Sequence, residues 1–444
     1  MEDLMGICEQ ACKKAVTLGA GEAEIYAVSS KKIEISLENN DIHRTVSQQE
    51  QSIGIRTFIN KSLGFASVNI LTPDSIDSAV HNAISLSRKS PRDEYNGVPE
   101  PCEISKVTKV YDPASAGFGI EDGLKLAIRM LKTAKDFDKR VSVESGCFVA
   151  DISKKVIINS KGVRAEELSN AFVYYIIGMA VDGPVVSTFD VQFDGTAMLS
   201  EIDVESVARE FAKNVVGSLG AGKGESFKGA IVLSPDAVMN FIHPVIFSAN
   251  ANNVQKGMSK LAGKLGQKVA SELLTIKDDG LIEGGLATSA FDREGMPHKP
   301  VFIIKDGLLS SYLYNTYTAK KDKTGSSGHA SGGPNSVPAI GTTNIIVSQG
   351  GKSKDEMIAD IKNGVLVTSF SGFPNPVSGD FSGVVKGGYL IKNGQIVKPL
   401  VETLIAGNSF DLLSRISAVS KERKKVFTSL LPYIRVEDVS VTSG

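Results

Sequence analysis

Four acidic residues lie in two short segments and could act as paired carboxylates. Asp278 and Asp279 end an apolar run, while Asp292 and Glu294 belong to the segment FDREGMP, residues 291–297. Two carboxylates can divide the roles of acid and base when their environments differ. Both segments are rich in turn-forming residues, however, and acids in turns usually face water. We therefore expect these four side chains to be solvated.

Residue types that bind metals are sparse. Cys8 and Cys12 lie one helical turn apart among apolar residues, which indicates a buried helix face rather than half of a metal site. Cys102 and Cys147 are isolated, and no GxSxG elbow offers a serine nucleophile. No two histidines share a predicted helix at ligand spacing among His43, His81, His298 and His329. One alternative stays open, a site assembled by the fold from His243, His298 and His329.

One glycine-rich segment, GSLGAGKGESFKG at residues 217–229, imitates a phosphate-binding loop. Gly217, Gly222 and Lys223 match the GxxxxGK spacing, but Gly224 stands where the magnesium-binding hydroxyl belongs. A predicted helix also precedes the segment, whereas the motif needs a strand there. We exclude a nucleotide site and interpret the segment as a linker.

A second glycine-rich segment is TGSSGHASGG, Thr324–Gly333. So many glycines and serines cannot pack a core, which predicts disorder in the free protein. The functional interpretation is a mobile flap whose backbone lines an extended peptide. Its candidates for contact with peptide are Gly325, Ser326, Gly328 and His329.

Composition excludes several classes of function. The 444 residues carry 49 basic and 50 acidic side chains, so no overall field attracts nucleic acid or a membrane surface. The sequence contains no apolar run of the roughly 18 residues needed to span a bilayer, and its start does not resemble a signal peptide. Four cysteines make no disulfide framework. We expect a cytoplasmic protein without nucleic-acid or membrane partners.

The periodicity of apolar residues predicts an α+β fold. Helices are predicted over residues 3–18, from Thr72-Pro73, around 124–134, from Asp203, and from the capping box Ser353–Glu356, closed by Gly364. Alternating strands fill the gaps, and the second half is rich in short strands, among them ASELLTI at 270–276. We predict an antiparallel sheet with helices over 1–216, a linker over 217–229 and a β-rich, barrel-like domain over 230–444.

Several short motifs in this chain resemble the TldD/PmbA family, the modulator of DNA gyrase proteins. They are GIR at Gly54–Arg56, GFAS at Gly64–Ser67 and the stretch GKLGQKVASELLTIKDDG at Gly263–Gly280. Two more are similar to the PmbA/TldE branch of that family, namely PVSGDFSG at Pro376–Gly383 and TLIAGN at Thr403–Asn408. The resemblance extends over most of the chain.

The resemblance also implies where zinc chemistry would lie. Catalytic members carry HExxxH on a helix early in the C-terminal domain, and a later cysteine completes the zinc site. In the matching stretch of this chain, His243 stands at the position of the first histidine ligand. Pro244 takes the place of the glutamate base, and Ser248 takes that of the second histidine ligand. No cysteine follows Cys147. We interpret the site as vestigial, with Pro244 near the start of its helix because proline fits only the first turn.

By this resemblance, the chain is the non-catalytic subunit of a heterodimeric zinc peptidase that acts on short or unfolded peptides. We expect no cofactor in this chain and zinc in an HExxxH-bearing TldD-like partner; a homodimer also stays open. Two alternatives remain, a self-sufficient metallopeptidase or amidase with an unrecognised site, and a stand-alone peptide-binding protein.

Overall fold

The computed structural model describes residues 3–444, and its first half is built on one seven-stranded antiparallel sheet. The strand order is β3-β2-β1-β4-β5-β6, and β7 also pairs with β5. The bounds are β1 (Glu22–Glu38), β2 (Asp41–Ile59), β3 (Ser62–Val68), β4 (Val141–Asn159), β5 (Arg164–Asp182), β6 (Val185–Val186) and β7 (Asp190–Thr196).

Helices cover one face of this sheet. They are α1 (Leu4–Thr17), α2 (Pro73–Lys89), α3 (Ile120–Phe137) and α4 (Val204–Gly217). Side chains alternate between faces along a strand, so Ile25 and Ile35 of β1 both pack under helices while Glu24 faces the other way. The predicted caps are confirmed, because the side chains of Thr72 and Asp203 accept hydrogen bonds from the first turns of α2 and α4. Cys8 and Cys12 are buried in α1, as predicted.

The second half forms a twelve-stranded sheet that closes on itself. The ring β9-β16-β17-β19-β21 is a five-stranded barrel, which confirms the predicted barrel-like domain. The strands of this sheet are β8 (Gly222–Lys223), β9 (Phe227–Leu233), β10 (Ile276–Asp278), β11 (Val301–Lys305), β12 (Leu308–Leu309), β15 (Ile345–Val347), β16 (Asn363–Ser371), β17 (Asp380–Lys392), β18 (Gln395–Val401), β19 (Thr403–Asn408), β20 (Ile416–Val426) and β21 (Ser429–Ser443). A separate small pair consists of β13 (Ala330–Ser331) and β14 (Ala339–Ile340).

One helix of the second half, α5 (Pro235–Ala249), packs against the barrel strands. Its Phe241 lies between Phe370 and Phe381, at ring-centre distances of 5.4 and 4.9 Å. This aromatic cluster fixes the orientation of α5. The shorter helices are α6 (Ala251–Gln255), α7 (Thr316–Lys321), α8 (Lys354–Ala359) and α9 (Ser409–Ser414).

Three local predictions differ from the structure. The predicted strand 270–276 is mostly a turn, closed by the bond from Leu274 N to Ser271 O, and only Ile276–Asp278 pairs as β10. Gly364 does not close α8 but lies in β16, where a Cβ would come within 2.6 Å of the Ala230 carbonyl oxygen. The segment 217–229 contains β8 and the start of β9, so it is partly strand.

Candidate functional site

Helix α5 carries His243, Pro244 and Ser248, the three positions that correspond to the HExxxH motif. His243 is exposed, whereas Ser248 is fully buried and its Oγ has no hydrogen-bond partner within residues 3–444. Pro244 lies well inside the helix rather than near its start, so that prediction is wrong; Pro235 occupies the first turn instead. A proline inside a helix removes one backbone hydrogen bond, and its ring has no group that can take a proton.

These residues do not fit a zinc ion. A peptidase zinc site needs three protein ligands. Among the three motif positions, His243 alone has a side chain of a kind that binds zinc. Within residues 3–444, no three His, Cys, Asp or Glu side chains are arranged to hold a metal. The fold does bring His298 and His329 together, with ring centres 6.3 Å apart, but both are buried while His243 is exposed.

Ser327, His329 and Asp278 make contacts in the order of a nucleophile triad. Ser327 Oγ lies 2.9 Å from His329 Nδ1, and His329 Nε2 lies 3.2 Å from Asp278 Oδ1. Ser327 Oγ, however, already accepts from Tyr314 N at 2.7 Å and donates to Tyr314 O at 3.1 Å. All three triad-like side chains are at most 6% exposed, so no substrate reaches them. We interpret this arrangement as structural.

The expectation that the turn acids are solvated is wrong. Asp278, Asp279, Asp292 and Glu294 are between 0 and 6% exposed. Asp292 accepts bonds from three backbone N–H groups, those of Glu294, Met296 and Ala330. Burial, with the neighbouring Glu294 charge, raises the pKa of Asp292 to about 7. These turns are covered by segments distant in sequence, Asp278 by Thr343, Asp292 by Ala330 and Glu294 by Arg56, which local turn chemistry cannot indicate.

Four charged residues join the two halves of the molecule in what we call the buried ion cluster: Glu24, Arg56, Arg293 and Glu294. Arg56 Nη2 lies 2.9 Å from Glu294 Oε1, and Arg56 Nε lies 2.9 Å from Glu24 Oε1. Arg293 Nη1 donates to the same Glu24 oxygen at 2.9 Å. Burial opposes ionisation of Glu24, yet the two guanidinium groups hold its pKa below the usual range.

A cavity of about 440 Å³, the interface cavity, opens beside this cluster between the first sheet and the second half of the chain. Arg56 and Glu294 form its polar wall, and Asn252, at the start of α6, also lines it. Its apolar side chains are Phe58, Leu63, Val337, Pro338, Ala339 and Ile340, and further polar residues, Asp93, Asn96, Asn315 and Thr318, line it too. The volume of this cavity falls in the range of small-ligand sites.

The segment 324–333 is not part of the cavity lining but adjoins it through β13, which pairs with the cavity-lining strand β14, and its residues 327–330 are buried. Ser327 and His329 are buried, and a Cβ on Gly328 would overlap the Pro297 carbonyl oxygen. Burial of residues 327–330 contrasts with the predicted disorder. Gly325 is exposed with open space around it, and Ser326 is half-buried. A role in peptide binding for these four candidates stays a prediction, and of the four Gly325 is the most accessible.

Comparison with known proteins places this architecture in a family. The chain matches the models of the PmbA/TldA metallopeptidase family for domain 1 over residues 23–87, the central domain over 114–219 and the C-terminal domain over 226–443. The chain belongs to the PmbA/TldD family. In this PmbA/TldD protein, two of the segments noted in the sequence meet in the buried ion cluster. GIR contributes Arg56, and FDREGMP contributes Arg293 and Glu294.

Relatives of this PmbA/TldD chain match it along nearly its whole length. The metalloprotease PmbA of Escherichia coli O157:H7 is 25% identical over 424 residues, which are 94% of this chain and 92% of that protein. The metalloprotease PmbA homolog of Buchnera aphidicola is 25% identical over 406 residues, 90% of this chain and 88% of that protein. The crystal structure of TldE from Thermococcus kodakarensis superposes with a TM-score of 0.91 at 25% identity, covering 98% of this chain and 100% of that one.

Sequence reasoning missed most of the interface cavity. Asn252, Tyr317 and Asp93 come from segments far apart in the chain, and no local pattern marks them. The one available signal was Arg56 within GIR, an arginine in the mostly apolar last third of β2, residues 53–59. A charge at such a position needs a buried partner, but the sequence does not say which.

Proposed function

We propose that this chain is the non-catalytic, TldE-type subunit of a heterodimeric zinc metallopeptidase that acts on short or unfolded peptides. In this proposal, an HExxxH-bearing TldD-like partner supplies the zinc and the general base. This chain completes the peptide-binding surface and stabilises the partner by association. In this proposal its location is the cytoplasm, which suits a chain whose cysteines Cys8, Cys12, Cys102 and Cys147 are free thiols.

The observation that carries the proposal is the composition of α5. Pro244 cannot act as a base, and buried Ser248 is no zinc ligand, so neither could take part in metal-assisted hydrolysis. The likeness to a TldE over 98% of the chain supports the same assignment. None of the helices within residues 3–444 combines the length and apolar character needed to cross a bilayer.

The test is to mix the chain with an HExxxH-bearing homologue and to measure sedimentation together with the rate of peptide cleavage. We expect a one-to-one complex that cleaves peptides faster than the homologue alone. Glutamine in place of the homologue's motif glutamate should abolish cleavage, while His243→Ala in this chain should leave the rate of the mixture unchanged. Zinc should copurify with the homologue and not with this chain.

Two results would contradict the proposal. Near-stoichiometric zinc retained by this chain after dialysis, and lost in His243→Ala, would favour a self-sufficient metallopeptidase. A homologue that is fully active alone, with no complex at micromolar concentration, would favour a stand-alone peptide-binding protein.

A further inference from the structure

The interface cavity offers hydrogen-bond donors that the protein itself does not use. Arg56 is 6% exposed and lines the cavity, yet its Nη1 has no hydrogen-bond partner among residues 3–444. Its other two nitrogens are engaged by Glu24 and Glu294. Because Arg56 lines the cavity, an ionised oxygen from outside the chain could accept from this N–H and form a charge-assisted hydrogen bond.

A second cationic group lies at the rim of the cavity. A Cβ built on Gly97, which lines the cavity, would lie 3.2 Å from Lys320 Nζ and 2.6 Å from Glu22 Oε2, so Lys320 lies behind the cavity wall with Glu22 beside it. Within the described chain, residues 3–444, Lys320 forms no ion pair, and burial lowers its pKa, with Lys61 and Lys161 adding to the effect against Glu22. A bound anion would relieve both the desolvation and the repulsion.

The acids around the cavity are, by contrast, already occupied. Glu294 accepts from Arg56 and from Thr316 N at 2.8 Å. Asp93 accepts from Tyr317 Oη at 2.8 Å and from Tyr95 N at 3.0 Å. Glu22 accepts from Val98 N at 2.7 Å and from Lys61 Nζ at 3.2 Å. The carboxylates at the cavity are therefore engaged by the protein while Arg56 Nη1 is not, which favours a ligand that brings an ionised oxygen acceptor.

We propose that the interface cavity binds an apolar side chain that carries a neighbouring carboxylate. The apolar wall, which includes Phe58, Leu63 and Ile340, takes the side chain, while Arg56 Nη1 binds the carboxylate and Lys320 Nζ, next to Gly97 of the wall, adds a positive charge. Two sources share this chemistry, the C-terminal residue of a peptide and a free apolar amino acid. The inference goes beyond the proposed function, because it holds whether or not the chain has a partner subunit.

The experiment measures binding to the isolated chain by calorimetry, with three probes of one side chain. N-acetyl-leucine represents a peptide end, leucine the free amino acid, and N-acetyl-leucinamide lacks the carboxylate. We expect N-acetyl-leucine or leucine to bind at least fivefold more tightly than the amide, because a charge-assisted hydrogen bond is lost with the carboxylate. Whichever of the two binds better identifies the source.

Three variants locate the site. Lys320→Gln should weaken binding of the carboxylate probe about fivefold, while its exposed neighbour Lys321→Gln should not change it. Val337→Trp, at a side chain 43% exposed, should fill the cavity and weaken binding at least tenfold without disturbing the core. Circular dichroism confirms that each variant is folded.

The proposal is overturned if neither carboxylate probe binds at millimolar concentration or if the amide binds equally well. Equal affinities for the wild type, Lys320→Gln and Val337→Trp would overturn it too. None of these outcomes depends on peptidase activity, so the proposed function stands or falls separately.

Discussion

Single side chains in the buried ion cluster connect segments that are far apart in the sequence. Glu24 binds Arg56 of the neighbouring strand and Arg293 of the second half, and all three are at most 6% exposed. Removal of one partner from such a group leaves charges buried without compensation, which costs far more than the intact pair contributes. The cluster thus specifies how the halves fit together.

Glu24→Gln should accordingly lower the free energy of unfolding by about 3–5 kcal/mol, since two guanidinium groups lose their shared anion. Denaturant unfolding measures the change. The control is Asp355→Asn, at a side chain 91% exposed, where a change within about 0.5 kcal/mol is expected. Similar losses in both variants would contradict the role given to the cluster.

His298 should make stability depend on pH. Burial, aided by Lys155 and His329, lowers its pKa from 6.5 to about 4, so the unfolded chain binds a proton here before the folded chain does. The stabilisation from neutral His298 is complete above pH 6.5 and is lost as the pH falls towards 4. Asp292 has a pKa raised to about 7, so its contribution to stability grows as the pH falls over the same range, opposite to that of His298.

The difference between His298→Gln and wild type isolates the histidine. As the pH is lowered from 7 to 4, the free energy of unfolding of the variant should rise by up to about 3 kcal/mol relative to that of wild type, at 1.36 kcal/mol per pKa unit. Urea unfolding at a series of pH values gives the difference. If the difference in free energy of unfolding between variant and wild type stays constant across this range, His298 titrates alike in the folded and unfolded states.

Helices and strands approach closely where glycine leaves room. A Cβ on Gly64 of β3 would overlap the Ala83 carbonyl oxygen of α2. Gly64→Ala should therefore push α2 off the sheet and destabilise the protein by about 1–3 kcal/mol or more. Gly351→Ala is the matched control, because nothing lies within 4 Å of its Cβ position. Thermal unfolding of the two variants makes the comparison.

The sequence predicted elements well where the signal was local. The caps at Thr72, Asp203 and Ser353 marked true helix starts, since a cap depends on residues within one turn. Pro244 was predicted near the start of its helix but lies inside α5, because the packing of α5 on the barrel overrides the intrinsic cost of proline in a helix. Asp278 and Asp292 are buried although the sequence predicted that they face water. The groups that bind them, Thr343 N and Ala330 N, belong to segments distant in sequence.

The candidate site was less predictable than the fold. GIR and FDREGMP were singled out as segments, but the sequence does not show that Arg56 pairs with Glu294 across 238 positions. A cavity depends on what the surrounding segments fail to fill, and no local periodicity encodes that.

At the scale of the whole molecule, exposed apolar side chains mark where a partner could bind. Leu265 and Leu273, in the stretch 263–280, are 49 and 48% exposed, although Leu273 was predicted inside a strand. An obligate interface buries on the order of 2,000 Å² or more, with an apolar centre. We infer that this stretch contributes to the surface that the proposed subunits share.

Leu273→Asp should then weaken association with the HExxxH-bearing homologue at least tenfold, because it places a charge in an apolar contact, while the free energy of unfolding changes little. Ile70→Asp, at a side chain 64% exposed in the first half, is the control and should not affect association. Sedimentation of each mixture tests this. Unchanged association of Leu273→Asp would remove the stretch from the interface.

The ring of five strands also has a consequence for synthesis. Strand β9 closes against β21 with Leu233 opposite Ile434, so roughly 200 residues separate these two neighbours in the chain. At about 5–20 residues per second, a ribosome needs on the order of 10–40 s to make them. During that interval the edge of β9 that pairs with β21 stays open, although β16 reaches β9 and Phe370 reaches α5 earlier. All strands of the first sheet are made before this wait begins, so the nascent chain holds a complete first sheet beside an unclosed barrel, and the exposed apolar interior of that barrel is where we expect a chaperone to bind.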